Sequence, residues 1–243
     1  MKADLPARLR GVVYALYSLA AALLMLGLAF GKRDANGINR IPRPIRMLSS
    51  ALVLASALLL ARGAGRGARN DRVERLVAAG MGCGFLGDLI MAELIPLPKH
   101  VLFGMGAFGA GHVLYLRAFA RRASALELRS ARSRWGALGA AWAVALAGWR
   151  LLVRNPDVGP ALNYGALAYA LLLSSMAGMG AALALQDRRF RPLALGGALF
   201  FASDMLLAAR LFRGTHFSQI GDVVWLTYIS GQALIVGTLG MAE

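Results

Sequence analysis

The amino-acid sequence predicts an all-α membrane protein, a single transmembrane domain over residues 1–243 built as a bundle of eight helices. Hydrophobic residues make up 58% of the chain and charged residues only 16%, whereas soluble domains carry about a quarter charged residues. The charges fall in short clusters. Between them lie apolar stretches of about 20 residues, the length that a helix needs to cross the bilayer core. No polar stretch is long enough to form a second domain.

The first four predicted spans are Leu9–Gly31, Pro44–Ala61, Val73–Ile95 and Val101–Phe119. The first is too long for a signal-peptide core and has no convincing cleavage site, so we expect it to remain as a helix. The second starts at a proline, whose missing N–H costs little in a first helical turn. The connections are short, as in the proline-rich one between the third and fourth spans, so we expect consecutive helices to be antiparallel neighbours. Closely spaced glycines in these two spans predict close helix packing in lipid; they are Gly80, Gly84, Gly87, Gly104, Gly109 and Gly111.

The last four predicted spans are Trp135–Val153, Ala161–Leu185, Pro192–Phe212 and Gln219–Met241. The seventh span also starts at a proline. Lysine and arginine set the orientation of such a chain, because they are retained on the cytoplasmic side. The N-terminus and the second, fourth and sixth connections, with the adjoining helix ends, hold 17 basic residues, and the other side holds 10. We therefore expect a multi-pass protein of the cell (inner) membrane with both termini in the cytoplasm.

The formal net charge is +15, which in a soluble protein would suggest nucleic acid. Here the arginines stand at the ends of apolar spans, where they anchor helices and contact anionic lipid head groups. We therefore expect membrane lipids as partners and no nucleic acid. The single cysteine, Cys83, excludes an intramolecular disulfide.

Two acidic residues, Asp88 and Asp204, lie well inside predicted spans. A carboxylate at the centre of a bilayer costs at least roughly 2.5 kcal/mol, so each must face the bundle interior or a water-filled cavity. No lysine lies within a span and no arginine at mid-span, so a simple buried ion pair does not explain them. The purely structural alternative is that each aspartate only joins helices by hydrogen bonds. We expect them to mark the working site.

The two aspartates share a local pattern. The segment 85–92 aligns with 201–208 as aromatic, any residue, small, Asp, three apolar residues and Ala, and Gly111-His112-Val113-Leu114 aligns with Gly231-Gln232-Ala233-Leu234. This similarity indicates a weak repeat of four plus four helices, both halves in the same orientation. Chance similarity in an apolar sequence is the competing explanation. A true repeat would bring the two carboxylates to one cavity.

Further polar residues accompany the aspartates. His112 and Tyr115 are one turn apart in the fourth span, and Tyr228 and Gln232 have similar spacing in the eighth. Ser203 precedes Asp204, and the sixth span opens with Asn163 and Tyr164, followed by Tyr169. Their ordinary roles would be interhelical hydrogen bonding and interfacial anchoring. No group of residues has metal-ligand spacing and no serine lies in a Gly-x-Ser-x-Gly turn, so we expect no metal site.

Five segments together resemble the YhhN family of lysoplasmalogenases, whose animal members are also eight-helix membrane proteins. They are Arg43-Pro44, Gly87-Asp88-Leu89-Ile90-Met91, Gly111-His112-Val113-Leu114-Tyr115, the segment from Gly197 to Asp204, and the segment from Tyr228 to Ile235. They occur in order over most of the chain. Family members commonly have Lys-Pro where this chain has Arg43-Pro44.

The resemblance implies hydrolysis of the vinyl ether bond of lysoplasmalogens, giving a fatty aldehyde and glycerophosphoethanolamine or glycerophosphocholine, without a cofactor. A vinyl ether is labile to acid, so the enzyme needs a protonated carboxylic acid and a second carboxylate that stabilises the cation and activates water, as in glycosidases. Burial and a neighbouring carboxylate both favour a proton on one acid of such a pair. Ser203 beside Asp204 favours ionisation there, hence Asp88 as the acid.

The other polar side chains would then bind substrate or orient water: His112, Tyr115, Ser203, Tyr228, Gln232, Asn163 and Tyr164. Arg43, with Arg46, would hold the lipid phosphate, and the apolar interior would hold the alkenyl chain.

The main alternative function is a small-solute or proton-coupled secondary transporter, because repeated halves and mid-membrane acids are also typical of transporters. A retinal-type photoreceptor needs a buried lysine for its Schiff base. The only lysines are Lys2, Lys32 and Lys99, none within a span, which excludes that class. A purely structural protein would leave both mid-span aspartates unexplained.

Overall fold

A computed structural model describes residues 7–63 and 71–241, and eight α-helices lie within these ranges. They are α1 (Ala7–Phe30), α2 (Arg43–Gly63), α3 (Asp71–Met91), α4 (His100–Ala125), α5 (Ala131–Gly148), α6 (Pro160–Gln186), α7 (Arg191–Arg213) and α8 (Ile220–Met241). The all-α bundle is confirmed. The basic residues Lys2, Arg66 and Arg69, part of the orientation count, lie outside the described residues.

Seven of the described helices are long and apolar enough to cross a membrane. The eighth, α3, carries charges near both ends, such as Arg72, Glu74 and Asp88, yet it packs within the bundle against α2, α4 and α8. The chain is therefore a multi-pass membrane protein.

Most helix ends agree with the predicted spans to within a few residues, and three differ more. α3 ends at Met91, and the chain then turns at Glu93, which has a left-handed backbone (φ 56°). α4 continues past Phe119 to Ala125, so Arg122 belongs to the helix. α5 begins at Ala131, where the Ser130 side chain accepts a hydrogen bond from the Ser133 amide as an N-cap, and it ends in a π-helical turn, Trp149–Val153.

Helix contacts form two equivalent sets. Within each half, the first and second, second and third, and third and fourth helices pack together; between halves, α2 packs on α8 as α6 packs on α4. The predicted neighbour relation is wrong at one place: in the described part of the chain α4 does not pack closely on α5, although only a short connection joins them. The boundary between the two halves falls there.

Glycines set the closest helix crossings. A Cβ atom at Gly111 of α4 would lie 2.9 Å from the Gly80 carbonyl oxygen of α3, and one at Gly231 of α8 would lie 2.7 Å from the Gly196 carbonyl oxygen of α7. Both crossings thus need glycine, because backbone faces backbone. Gly80 and Gly196 each stand eight residues before the aspartate of their helix, so the crossings obey the repeat.

The odd-numbered connections gather at one face of the bundle. The Gly221 amide donates to the Ile38 carbonyl and the Arg43 guanidinium to the Ala92 carbonyl, which joins the seventh and third connections to the first. Asp222, buried at the start of α8, accepts hydrogen bonds from the Arg40 and Ile41 amides at 2.6 and 3.0 Å. This carboxylate fixes the first connection onto α8.

A buried ion pair fastens the opposite face. The Arg122 guanidinium donates to Glu74 Oε1 at 3.1 Å and to the Leu239 carbonyl at 2.9 Å, which ties α4 to α3 and α8. Arg122 and Glu74 are both buried. Loss of one partner would leave an uncompensated buried charge.

Candidate functional site

A cavity of about 490 Å³ opens at the face of the odd-numbered connections. Its rim includes the exposed Lys32 and Asp34 of the first connection, and its interior includes Asp88 of α3 and Asp204 of α7. Asp88 is buried and Asp204 is half-buried. The structure therefore brings both aspartates to one cavity, although Asp88 lies in the last turn of α3, not well inside its span, because α3 ends at Met91.

Asp88 accepts two hydrogen bonds on a single oxygen. The Ser50 hydroxyl donates to Asp88 Oδ2 at 2.5 Å and the Tyr228 hydroxyl donates to it at 3.0 Å. The Tyr228 oxygen accepts in turn from Gln232 Nε2 at 3.3 Å, and Gln232 Oε1 accepts from the Tyr115 hydroxyl at 2.6 Å. All five side chains are buried. The side-chain amide of Gln232 donates only through Nε2 and accepts only through Oε1. The Tyr228 oxygen therefore accepts from the amide, and the Tyr228 hydroxyl proton points to the Asp88 carboxylate.

Asp204 is held by a shorter chain of the same kind. The Tyr169 hydroxyl donates to Asp204 Oδ2 at 2.5 Å, and His112 Nε2 lies 3.2 Å from the Tyr169 oxygen. Tyr169 has one hydroxyl proton, which the carboxylate receives, so His112 carries a proton on Nε2 and donates it. His112 is buried, and its Nδ1 has no hydrogen-bond partner among the described residues. His112 is thus placed to orient the Tyr169 hydroxyl.

Aromatic packing joins the two chains. The Phe200 ring meets the His112 ring edge-on with centroids 4.8 Å apart, and the Tyr228 ring with centroids 5.0 Å apart. Asp88 and Asp204 are also close enough to interact electrostatically. Neither forms an ion pair within residues 7–63 and 71–241, and no group of metal-ligating side chains converges there.

The cavity has a basic mouth, which we define as Lys32, Arg40, Arg43, Arg46 and Arg210. Two of these side chains are engaged by backbone: Arg40 donates to the Gly31 and Ala29 carbonyls, and Arg43 donates to Ala92. Arg46 donates to Asn39 Oδ1 and lies over the Trp225 ring at 5.9 Å, but its buried Nε has no partner among the described residues.

Arg210, half-buried on α7, lies within electrostatic range of Arg46 and of Asp34. Burial would raise the pKa of Asp34, but hydrogen bonds from Asn39 and Ile38 lower it overall, so Asp34 is ionised. Asp34 and the buried Asp222, which also lies within electrostatic range of Arg46, do not balance five cations, and the mouth attracts anions.

An apolar pocket adjoins the cavity and shares four residues with it, Met91, Phe108, Asp204 and Leu207. Its volume is about 50 Å³, and its remaining wall comes from α4, α6, α7 and the π-helical turn. The apolar pocket therefore starts at one of the two carboxylates.

The structure separates the predicted site residues into two groups. Tyr115, His112, Tyr228 and Gln232 belong to the hydrogen-bond chains just described, and Arg43 lies at the mouth. Three others take no part in these chains. Ser203 lines the cavity, but its hydroxyl is bonded to backbone; Asn163 is bonded to the fifth connection and Tyr164 is exposed.

Ser203 donates its hydroxyl to the Val224 carbonyl at 2.9 Å, so it does not assist Asp204, and the reason for assigning the acid to Asp88 disappears. Asn163 accepts from the Asn155 amide and donates to backbone carbonyls of the fifth connection. Tyr164 is exposed and stacks on Trp149.

Sequence reasoning missed Ser50 and Arg210 and named Tyr169 without a role. Ser50 lies about two helical turns after Arg43, in the helix that the Arg43-Pro44 segment opens. This position was the one signal in the sequence that pointed toward Ser50. The partner of Tyr169 is 35 residues away, beyond any local pattern.

The model of the YhhN family matches residues 43–239. This chain belongs to the YhhN family. The match contains α2 to α7, α8 up to Leu239, both aspartates and every residue of the two hydrogen-bond chains. No curated protein and no solved structure matches the chain. Four of the five segments that resemble this YhhN family contribute residues to the cavity wall, and the fifth, Gly111–Tyr115, supplies His112 and Tyr115 to the hydrogen-bond chains.

Proposed function

We propose that this YhhN protein is a lysoplasmalogenase, a hydrolase of the vinyl ether bond of lysoplasmalogens. One observation carries the proposal: two carboxylic groups embedded in the membrane share one cavity, each with a tyrosine donor, under a mouth that attracts anions. A polar reaction centre of this kind, with an apolar pocket attached, suits an amphiphile whose labile bond lies between its phosphate and its hydrocarbon chain. Family membership supports this reading.

The chemistry needs an acid and a counter-charge. The carboxylic acid of one aspartate donates its proton to the β-carbon of the vinyl ether, whose π electrons form the new C–H bond and leave an oxocarbenium ion. The second carboxylate stabilises that cation and takes a proton from the attacking water. The hemiacetal then breaks its bond to the glycerol oxygen, which takes the proton held by the second aspartate, while the hemiacetal hydroxyl gives its proton to the first aspartate and a fatty aldehyde is released. Asp88 and Asp204 divide these two roles.

Arg46 and Arg210 are the residues best placed to hold the phosphate. Two guanidinium groups in electrostatic range of each other repel, and a bound phosphate diester would relieve this repulsion through charge-assisted hydrogen bonds. Arg43 is a weaker candidate, since it already donates to Ala92.

The first prediction concerns the aspartates. Asp88→Asn and Asp204→Asn should each lower vinyl ether cleavage at least about a hundredfold, the contribution of a positioned acid or base. Both variants keep the size of the side chain and its ability to accept a hydrogen bond, so both should remain folded. Mass spectrometry of the purified protein with lysoplasmalogen measures aldehyde release, and thermal unfolding in detergent measures folding.

The matched control is Asp157→Asn, an exposed aspartate of the fifth connection, which should keep wild-type activity. In D2O, the aldehyde should carry one solvent deuteron at carbon 2 when it is trapped by rapid reduction. Full activity of either cavity variant would exclude the two-carboxylate mechanism. Wild-type protein that releases no aldehyde, but carries protons or solutes in proteoliposomes, would favour a transporter.

A further inference from the structure

The two halves of the bundle differ at one contact. In the first half α3 packs on α8, but among the described helices α7 has no comparable contact with its counterpart, α4. The two helices touch through the His112 and Phe200 rings, but their wider separation leaves a gap between the start of α4 and the end of α7, next to the odd-numbered connections. The apolar pocket lies at this gap, lined by Met105 of α4 and by Met205, Ala208 and Leu211 of α7.

The wall of this pocket can widen. Its volume of about 50 Å³ is too small for a long hydrocarbon chain, but three methionines, Met91, Met105 and Met205, line it. Methionine is unbranched and has three rotatable bonds, so these side chains adapt to an inserted chain without movement of the helices. Leu211 is exposed at 42%, and this marks the side of the pocket that faces the bilayer.

Polarity changes along one continuous path. The basic mouth stands at the membrane surface, the two carboxylates follow, and the apolar pocket leads from Asp204 toward the outer surface of the bundle. An amphiphile with one chain matches this order: an anionic group, then a polar backbone, then hydrocarbon. A second chain would have to pass through the basic mouth.

We propose that the gap between α4 and α7 is the entry and binding site for the single hydrocarbon chain of the substrate, which enters sideways from the bilayer leaflet next to the odd-numbered connections. The identity of the reactive bond rests on the proposed function; the binding of a single-chain phosphate amphiphile does not. Ala208 sets the width of the site, because it is the smallest half-buried residue that α7 presents to the pocket.

Ala208→Phe tests the site through chain length. The ring would fill the pocket and displace the start of a long chain. Cleavage of a lysoplasmalogen with a long alkenyl chain should then fall in kcat/KM by at least about tenfold, because small misplacements of a reacting bond are costly. The 1-propenyl analogue is too short to enter the pocket, so the new ring does not misplace its reacting bond. Its kcat/KM should therefore change less than about twofold. The matched control is Ala202→Phe, at an exposed position of the same helix, which should alter neither substrate.

A binding measurement keeps the test independent of catalysis. A non-hydrolysable 1-alkyl lysophosphatidylcholine with a diazirine near the start of its chain should cross-link to residues 101–108 and 205–212 of the wild-type protein, and Ala208→Phe should abolish these adducts. Equal loss of activity on long and short substrates, or adducts only outside these segments, would overturn the chain site. Adducts at these segments without any aldehyde release would keep the chain site and reject the proposed function.

Discussion

Each aspartate of the cavity accepts a hydrogen bond from a tyrosine hydroxyl, and each tyrosine oxygen accepts one from an N–H group. Gln232 supplies that N–H to Tyr228, and His112 supplies it to Tyr169. His112 and Gln232 occupy equivalent positions of the repeat, each directly after the glycine of a helix crossing. Two different side chains thus perform the same task, which is to fix the direction of a hydroxyl group beside a carboxylate.

This equivalence predicts a rescue. His112→Leu removes the N–H, leaves the Tyr169 oxygen short of a donor and frees its hydroxyl to turn, so vinyl ether cleavage should fall about tenfold, as expected for one buried hydrogen bond. His112→Gln keeps an N–H at similar reach and should retain most of the activity. The kcat/KM of both variants, measured beside their thermal stability, checks the prediction. Equal loss in the two variants would show that the imidazole itself is needed.

Single residues were predictable where the membrane makes them costly. A charge in hydrocarbon is conspicuous in a sequence, so Asp88 and Asp204 could be identified without a structure. Ser50 and Tyr169 carry ordinary hydroxyl groups, and only the three-dimensional packing reveals their partners. Ser203 illustrates the reverse error: sequence adjacency to Asp204 suggested contact, yet consecutive residues of a helix point in different directions.

At the scale of helices, two close crossings lie at equivalent positions of the repeat. The α3–α4 crossing and the α7–α8 crossing each place a glycine against a carbonyl oxygen. Glycine spacing in the sequence indicated close packing, but it could not say which helices meet. The sequence also suggested that α4 and α5 would be neighbours, because a short connection limits distance but not direction.

Substitution at the crossings should destabilise the fold. Gly111→Ala and Gly231→Ala each place a methyl group under 3 Å from a backbone oxygen, so the helices must separate, and we expect a loss of roughly 1–3 kcal/mol in the free energy of unfolding. Gly106→Ala, on α4 with open space around it, is the control and should not lower stability. Thermal unfolding in one detergent compares the three variants. A crossing variant as stable as the control would contradict backbone contact.

At the scale of the whole molecule, the cavity faces the side opposite the termini. Eight helices return the chain to the side from which it starts, and the contacts among the odd-numbered connections show that these connections form the mouth. The excess of basic residues on the other side predicts that the mouth lies at the non-cytoplasmic surface. The five cations of the mouth favour the opposite orientation, with the mouth at the cytoplasmic surface.

Cysteine labelling gives the orientation. In a Cys83→Ala background, Ala35→Cys lies in the first connection and Ser124→Cys at the far end of α4, and both positions are exposed. A membrane-impermeant thiol reagent added to intact cells should label the first and not the second, since the termini are expected to be cytoplasmic. Both should react after permeabilisation. Labelling of Ser124→Cys alone in intact cells would show that the orientation is the reverse of the predicted one.

The number of helices in each half has a consequence for what the molecule can do. Four is even, so both halves enter the membrane from the same side, and the axis that relates them runs along the membrane normal. Exchanging the conformations of the two halves would therefore map the cavity onto itself and never onto the opposite face. Inverted repeats, by contrast, turn an outward-open state into an inward-open one by such an exchange. Symmetry here brings one carboxylate from each half to a shared cavity, and any alternation between the two sides would need a movement other than this exchange.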